Sequence, residues 1–306
     1  LWYVYIGITL ACIVSLYLAG VSLFDSLNYS LSLMGAGGLS PTSAGVMAYN
    51  HAPLVEWVLI IFMILAGGNF ALYVSGIRRR KLSLLWKNSE IRFYVLLLTL
   101  GSLLVIICLA LSDTSMGPLE LLSTGAFMYV SMQTGTGFAV VDYTDWFVGA
   151  QGVLYVATFL GGCTGSMTGG IKMFRILILW RQLVRSLREG AHPDAISSVR
   201  LNNQAVNQTT LDRVAQFFFL YILTYILSVL VLTSLDLSVE NALGIVAGML
   251  GNVGLAFGDF GPTGSFSGLS DGAKLVCIVD MILGRLEIFA ILVLFLPSFW
   301  KGYLHK

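Results

Sequence analysis

Apolar stretches of about 20 residues, the length that crosses a bilayer, recur along the whole chain. Spans are predicted at residues 2–21, 54–73, 93–111, 147–160, 214–232 and 273–295. The fourth is short, runs into a glycine-rich stretch at 161–170, and resumes as a second helix from Ile171. The connections between spans alternate between two kinds. One kind is polar and basic. The other (22–53, 112–146 and 233–272) is long, mostly apolar and free of Lys and Arg.

The three long connections share one pattern. Each holds a segment (24–41, 119–140 and 239–257) that opens near an acidic residue, Asp25, Glu120 or Glu240, suited to the first turn of a helix. About 12 mostly apolar residues follow, too few to span but enough for a re-entrant helix. Each segment ends in a glycine-rich turn with one glycine directly before Leu or Phe: Gly38, Gly137 and Gly254. This self-similarity predicts a repeat of span, half-helix, glycine turn and span. Two spans return the chain to its starting side, so the copies run parallel and suit a ring around one axis, unlike inverted-repeat transporters. Irregular backbone at membrane depth is tolerated only where protein buries it or where it lines a wet cavity. Glycine lets carbonyls turn toward an axis, and rings of carbonyls replace the water shell of a cation. The competing reading is small-residue helix contacts or plain turns; three in-phase copies favour the ion filter.

Composition narrows the class. With 57% hydrophobic and 11% charged residues, against roughly 25% charged in soluble domains, the composition rules out most readings as a cytosolic enzyme, nucleic-acid binder or secreted disulfide scaffold. Its four cysteines (Cys12, Cys108, Cys163, Cys277) have no metal or redox spacing and are predicted to be buried, inert thiols. The net charge is only +1, but its placement is informative. The basic residues cluster at 78–92, at 172–213 and at Lys301 and Lys306, leaving only Lys274 and Arg285 elsewhere. By the positive-inside rule the basic connections are cytoplasmic. Acidic residues, among them Asp25, Glu56, Asp113, Asp142 and Asp259, gather toward the outer side, where they either draw cations into a vestibule or cap helices.

GGLSP at 37–41, TGTGFA at 134–139, GNVGLAFGDFGP at 251–262, GGCTGSMTGGIKMFR at 161–175 and GRLEIFAILVLFLPSFW at 284–300 resemble the Trk/Ktr/HKT-type potassium transporter superfamily, and its Trk branch in particular. The resemblance covers essentially the whole chain. It implies an all-α integral membrane fold of parallel span, pore-helix, filter and span repeats, arranged with pseudo-fourfold symmetry around one ion pore. Residues 1–77, 93–190 and 212–306 then correspond to the family's second, third and fourth pore units, joined by cytoplasmic connections at 78–92 and 191–211. The first unit is not represented, in keeping with a chain that opens on Leu1 inside a span. Gly38, Gly137 and Gly254 match the filter glycines. Gly37, Leu39, Thr136, Phe138, Asn252, Val253 and Leu255 complete the filter strands, where K+ would bind as both ligand and substrate, with no covalent cofactor. Leu255 stands where Trk members often have proline, and Pro41 where threonine is usual.

The same resemblance makes 161–170 an intramembrane loop obstructing the pore beneath the filter, with Gly161, Gly162, Thr164, Gly165, Ser166, Gly169, Gly170 and the adjoining Lys172 as gate residues. A glycine-kinked helix is the alternative. Arg285 lies 12 residues into the last predicted span, where an arginine costs at least ~2.5–3.5 kcal/mol and so must face protein or a pore. The resemblance places it at the family's pore-facing arginine; a pair with Asp280, Glu287 or loop carbonyls is the alternative. Family likeness further implies a multi-pass protein of the plasma (inner) membrane in contact with lipid, a homodimer, and a cytoplasmic nucleotide-binding regulatory partner. Gated potassium permeation is the leading function, with sodium- or proton-coupled cation transport as the alternative. Catalysis is not expected: there is no H-E-x-x-H or G-x-S-x-G motif, and His51, His192 and His305 all lie outside the spans.

Overall fold

The computed structural model describes residues 1–49, 52–81, 83–112, 116–192, 198–202 and 204–301. His51, Asp113, His305, Lys306 and part of the connection at 191–211 lie outside the described residues. Among the described residues the fold is helical apart from one hairpin of two two-residue strands.

The first repeat runs α1 (Trp2–Leu18), α2 (Leu23–Met34), α3 (Pro53–Ala66) and α4 (Phe70–Arg78). A short α5 (Ser83–Lys87) leads to the second, made of α6 (Ser89–Ala110), α7 (Pro118–Gln133), α8 (Val148–Phe159) and α9 (Met173–Ala191). The hairpin β1 (Arg200–Leu201) and β2 (Gln204–Ala205) precedes the third, made of α10 (Gln208–Ser234), α11 (Val239–Leu250), α12 (Asp271–Leu286), α13 (Ile288–Leu294) and α14 (Pro297–Lys301).

Helices α2, α7 and α11 cover the three predicted half-helices. At ~1.5 Å per residue they reach only about 18–24 Å, short of a hydrocarbon core of ~30 Å. Local chemistry starts each one. Ser22 Oγ accepts from the Asp25 amide at 3.1 Å and Ser238 Oγ from the Asn241 amide at 3.3 Å, while Pro118 opens α7 after Gly117. Asp25, Glu120 and Glu240 lie in the first turns.

Among the described helices, α6 and α10 are long and apolar enough to cross a membrane alone. The buried side of α6 carries Ile91, Tyr94, Leu98, Gly101, Val105 and Leu109 at helical spacing. Its other side, with Leu96, Leu100, Leu103, Leu104 and Ile107, is exposed and equally apolar, as a lipid-facing surface requires. One buried core joins the first two repeats and takes in Val253 and Phe257 of the third, and a second, which includes Ile171, lies mostly within the third. The cysteines are free; Cys12, Cys163 and Cys277 are buried, whereas Cys108 is only half-buried.

Two predicted spans are corrected. Residues 54–73 form no single helix: α3 and α4 meet at 89°. Gly67 and Gly68 leave room there for the Tyr94 and Tyr73 hydroxyls, which a Cβ would overlap, and Asn69 restarts the helix by accepting from the Leu72 amide at 3.1 Å. Likewise 273–295 breaks at Glu287, which adopts φ +63°. With the break between α8 and α9, the inner helix of every repeat is interrupted.

Candidate functional site

The turns after α2, α7 and α11 have one backbone conformation. Positive φ falls on Ala36 and Gly38, on Gly135 and Gly137, and on Asn252 and Gly254, always two residues apart. The amides bond inward to the preceding helix in the same register. Gly37 donates to Ser32 O at 2.9 Å, Thr136 to Ser131 O at 3.0 Å, and Val253 to Gly248 O at 2.9 Å. One residue earlier, Ala36, Gly135 and Asn252 donate to Leu33, Met132 and Met249. Among the described residues no donor reaches the carbonyls of Gly38, Thr136, Gly137, Val253 or Gly254. Each strand therefore ties its leading amides to its own half-helix and leaves these carbonyls without donors, and the C-terminal, partly negative end of its helix lies beside them.

The strands also sit against one another in rotation. A Cβ on Gly38 would stand 2.5 Å from Thr136 O, and one on Gly137 would overlap Val253 O. Gly38 and Gly137 thus each face the carbonyl just before the next strand's glycine. Gly254 faces open space. Side chains brace this arrangement. Phe138 is buried edge-on against Tyr29, with ring centres 5.7 Å apart, and Ser131 Oγ donates to Phe138 O at 2.6 Å. Thr136 and Thr134 share a hydroxyl contact at 2.8 Å. Asn252 reaches sideways, donating to Met281 O of α12 at 3.0 Å. Leu39 is exposed, and with Gly38, Gly137, Phe138 and Leu255 it lines an outer cavity of about 500 Å³.

Among the described residues, no acidic side chain lines that cavity. Asp25 accepts from Tyr49 Oη at 2.8 Å, Asp259 from Asn241 at 2.7 Å, and Asp142 from Thr144 at 2.7 Å and from Thr263. Their first role is to order loops. Burial alone would raise the Asp142 carboxyl, but these hydrogen bonds outweigh it and hold the group below its ordinary 3.8. Its contribution to loop stability is therefore present above the ordinary carboxylate pKa and fades as pH falls through the lowered value.

The glycine-rich segment lies directly beneath the strands. A Cβ on Gly169 would be 2.5 Å from Asn252 Cβ and 2.8 Å from Gly251 O. Gly161 and Ile171 close the base of the loop through an amide-to-carbonyl bond of 2.9 Å. The loop is anchored to the first repeat where α3 breaks: Cys163 N donates to Gly67 O at 2.7 Å, and Gly165, at φ +79°, faces Asn69. Thr164 N donates to Glu90 Oε1 at 2.6 Å. Inside the loop, Thr168 Oγ1 accepts from Gly162 N and contacts Ser166 Oγ, both at 2.8 Å. Lys172 Nζ donates to the Thr168 carbonyl and, at 3.3 Å, to its hydroxyl. Gly170 makes the exit turn at φ +65°.

Arg285 Nη2 donates to Gly35 O at 2.8 Å, so α12 of the third repeat reaches the carbonyl end of α2 in the first, below the strands. Glu287 pairs with Arg175 at 2.6 Å, and Asp280 accepts from Ser228 at 2.7 Å; neither carboxylate is Arg285's partner. Sequence reasoning missed Gly67, Asn69, Glu90 and Glu287 as supports of this region. The GGN run inside an apolar span was the available signal for the first two. Glu90 and Glu287 act across 74 and 112 residues, with no local signature.

A further support joins neighbouring strands. Tyr143, fully buried, donates to Ala256 O at 2.6 Å, linking the loop after the second strand to the end of the third. Tyr143→Phe leaves that carbonyl unpaired, which costs ~1–3 kcal/mol. The variant should denature at lower temperature, read as earlier exposure of the buried Cys12, Cys163 and Cys277 to a fluorescent thiol reagent. An unchanged midpoint would remove Tyr143 from the supports.

A family profile described as TrkH, cation transport protein, matches residues 1–301. The Trk system potassium uptake protein TrkH of Salmonella typhimurium is 34% identical over 304 residues, covering 98% of this chain and 62% of that protein. TrkG of Escherichia coli is 36% identical over 305 residues, covering 99% and 61%. The crystal structure of the potassium transporter TrkH from Vibrio parahaemolyticus superposes with a TM-score of 0.91 at 31% identity, covering 98% of this chain and 64% of that one. The chain thus spans about three-fifths of the length of these relatives. Apolar spans, half-helices that end in glycine strands, and matches at this level give one conclusion: this membrane protein belongs to the TrkH family of cation transport proteins.

Proposed function

We propose that this chain forms part of the membrane pore of a potassium uptake system, in which K+ passes a filter of backbone carbonyls and is gated by the loop at 161–170. The observation that carries this reading is the threefold recurrence of one strand geometry: alternating left-handed residues, amides bonded inward, and carbonyls free of donors. Stacked carbonyls can replace the hydration shell of a monovalent cation. Gly37, Gly38 and Leu39, then Thr136 and Gly137, then Asn252, Val253, Gly254 and Leu255 supply the coordinating backbone, while Phe138, whose carbonyl accepts from Ser131 Oγ, braces the second strand. Gly169 and Arg285 both lie below the strands, so loop and guanidinium together obstruct the inner exit. Relatives named as potassium uptake proteins support the choice of ion. By the same likeness the protein acts in the inner membrane with its basic connections cytoplasmic, as a homodimer regulated by a cytoplasmic nucleotide-binding partner.

The test is uptake of radioactive rubidium and sodium into liposomes containing the complete protein. Rubidium should enter faster than sodium, be displaced by potassium, and follow its own gradient. Uptake that required an imposed sodium or proton gradient would overturn passive permeation in favour of coupled transport, and equal entry of both ions would overturn the filter.

A further inference from the structure

We propose that the protein carries a site for one anionic phospholipid of the inner leaflet, between the start of α9, the start of α10 and the break before α13. It does not depend on which ion the pore conducts. A cavity of about 650 Å³ opens there beside the glycine-rich loop. Its charged lining is Lys172, Arg175 and Arg213 against the single carboxylate of Glu287, three cations to one anion. Glu287 is already engaged by Arg175 Nη2 at 2.6 Å, while Arg175 Nη1 is shielded from water and has no acceptor among the described residues. The guanidinium also lies over the Phe217 ring, 3.8 Å from its centre. Arg213 is exposed.

Two helix starts converge on the same space. Helix N-termini carry partial positive charge and ordinarily recruit acidic side chains. Helices α2, α7, α11 and α12 do so. Helices α9 and α10 have no acidic residue in the first turn, and they present Lys172, Arg175 and Arg213 to the cavity instead. Asp212 accepts from Gln208 at 3.1 Å and does not line the cavity. The positive end is therefore doubled rather than offset, an arrangement suited to a phosphate group.

The second half of the ligand follows from the neighbouring surface. A groove of about 470 Å³, almost wholly apolar, runs along the outer face of α10 past Phe219 and Leu220. Gln216 and Phe289 line both this groove and the cavity. A phosphate held in the cavity would lead its acyl chain directly into the groove, which a free phosphate could not use. Basic pockets between spans on the cytoplasmic side are suited to anionic headgroups. Because Lys172 also holds Thr168 of the loop, a bound headgroup would lie within reach of the loop's own fastening.

The experiment uses the complete protein in nanodiscs of mixed phosphatidylglycerol and phosphatidylcholine, with native mass spectrometry counting the lipids retained. Arg213→Gln removes one exposed cation, and Arg188→Gln removes another on the same side away from the cavity. Phosphatidylglycerol should be retained over phosphatidylcholine. Arg213→Gln should weaken that retention about fivefold, as expected for one basic residue near a membrane surface, and Arg188→Gln should leave it unchanged. Equal loss in both variants would overturn the site in favour of diffuse surface attraction, as would equal retention of the two lipids. Competition by glycerol phosphate as effective as that of the lipid would overturn it in favour of a free phosphate site.

Discussion

Gly137→Ser is expected to lower the discrimination between potassium and sodium about tenfold, the equivalent of ~1.4 kcal/mol. Two separate demands are broken at once. Gly137 has φ +76°, a left-handed conformation that costs an ordinary L-residue roughly 1–2 kcal/mol. Its new Cβ would also overlap the Val253 carbonyl oxygen of the neighbouring strand, an atom proposed to face the ion. Because that atom is backbone, it cannot rotate away as a flexible side chain would; the strand itself must shift. The displaced carbonyl then fits the ion less closely, and preference for the larger, more weakly hydrated ion falls. Rubidium and sodium uptake into liposomes measures the ratio directly. Gly7→Ser, at a helix position with open space around it, is the control and should change nothing. A ratio unaltered by Gly137→Ser in well-folded protein would remove Gly137 from the filter.

Arg285→Gln is expected to raise the rate of rubidium entry at least fivefold. Arg285 donates to Gly35 O at the carbonyl end of α2, so its charge lies just below the strands. A unit charge roughly 8 Å from a passing cation, at an effective dielectric of about 20, opposes it by ~2 kcal/mol; water in the pore reduces the effect. Gln keeps a donor for Gly35 O and removes only the charge. Arg285→Lys should retain the slow rate, which separates electrostatics from packing. If both variants conducted like the parent, the arginine would be a strut between the first and third repeats and not a barrier.

The half-helices were legible in the sequence because everything that defines them is local: an acidic or proline start, an apolar run and a glycine end. The alternation of φ within the strands was only partly legible. Gly135, Gly137 and Gly254 announce left-handed positions, but Ala36 and Asn252 adopt the same conformation without glycine, held there by their repeat's hydrogen-bond register. The breaks in α3–α4 and α12–α13 were hidden by hydropathy, since an apolar segment reads alike whether straight or bent by 89°. Glu287 is the clearest case. Only two residues from Arg285, it is poorly placed for a same-face helical pair, and a left-handed backbone turns it to Arg175, 112 residues away. Such partners are set by how repeats pack, and no spacing along the chain encodes them.

The inward bonding of the strand amides has a consequence for how ion preference could change. Each carbonyl ladder is shaped by its own half-helix, so its curvature belongs to one repeat and tolerates little alteration. The calibre of the opening belongs to no repeat; it depends on what holds neighbours together, such as the Tyr143 hydroxyl on Ala256 and the Tyr29 ring on Phe138. Curvature and calibre can therefore vary independently. Under the proposed filter, a protein of this design could shift its ion preference by retuning aromatic spacers behind the ladders while every residue proposed to coordinate the ion stays the same.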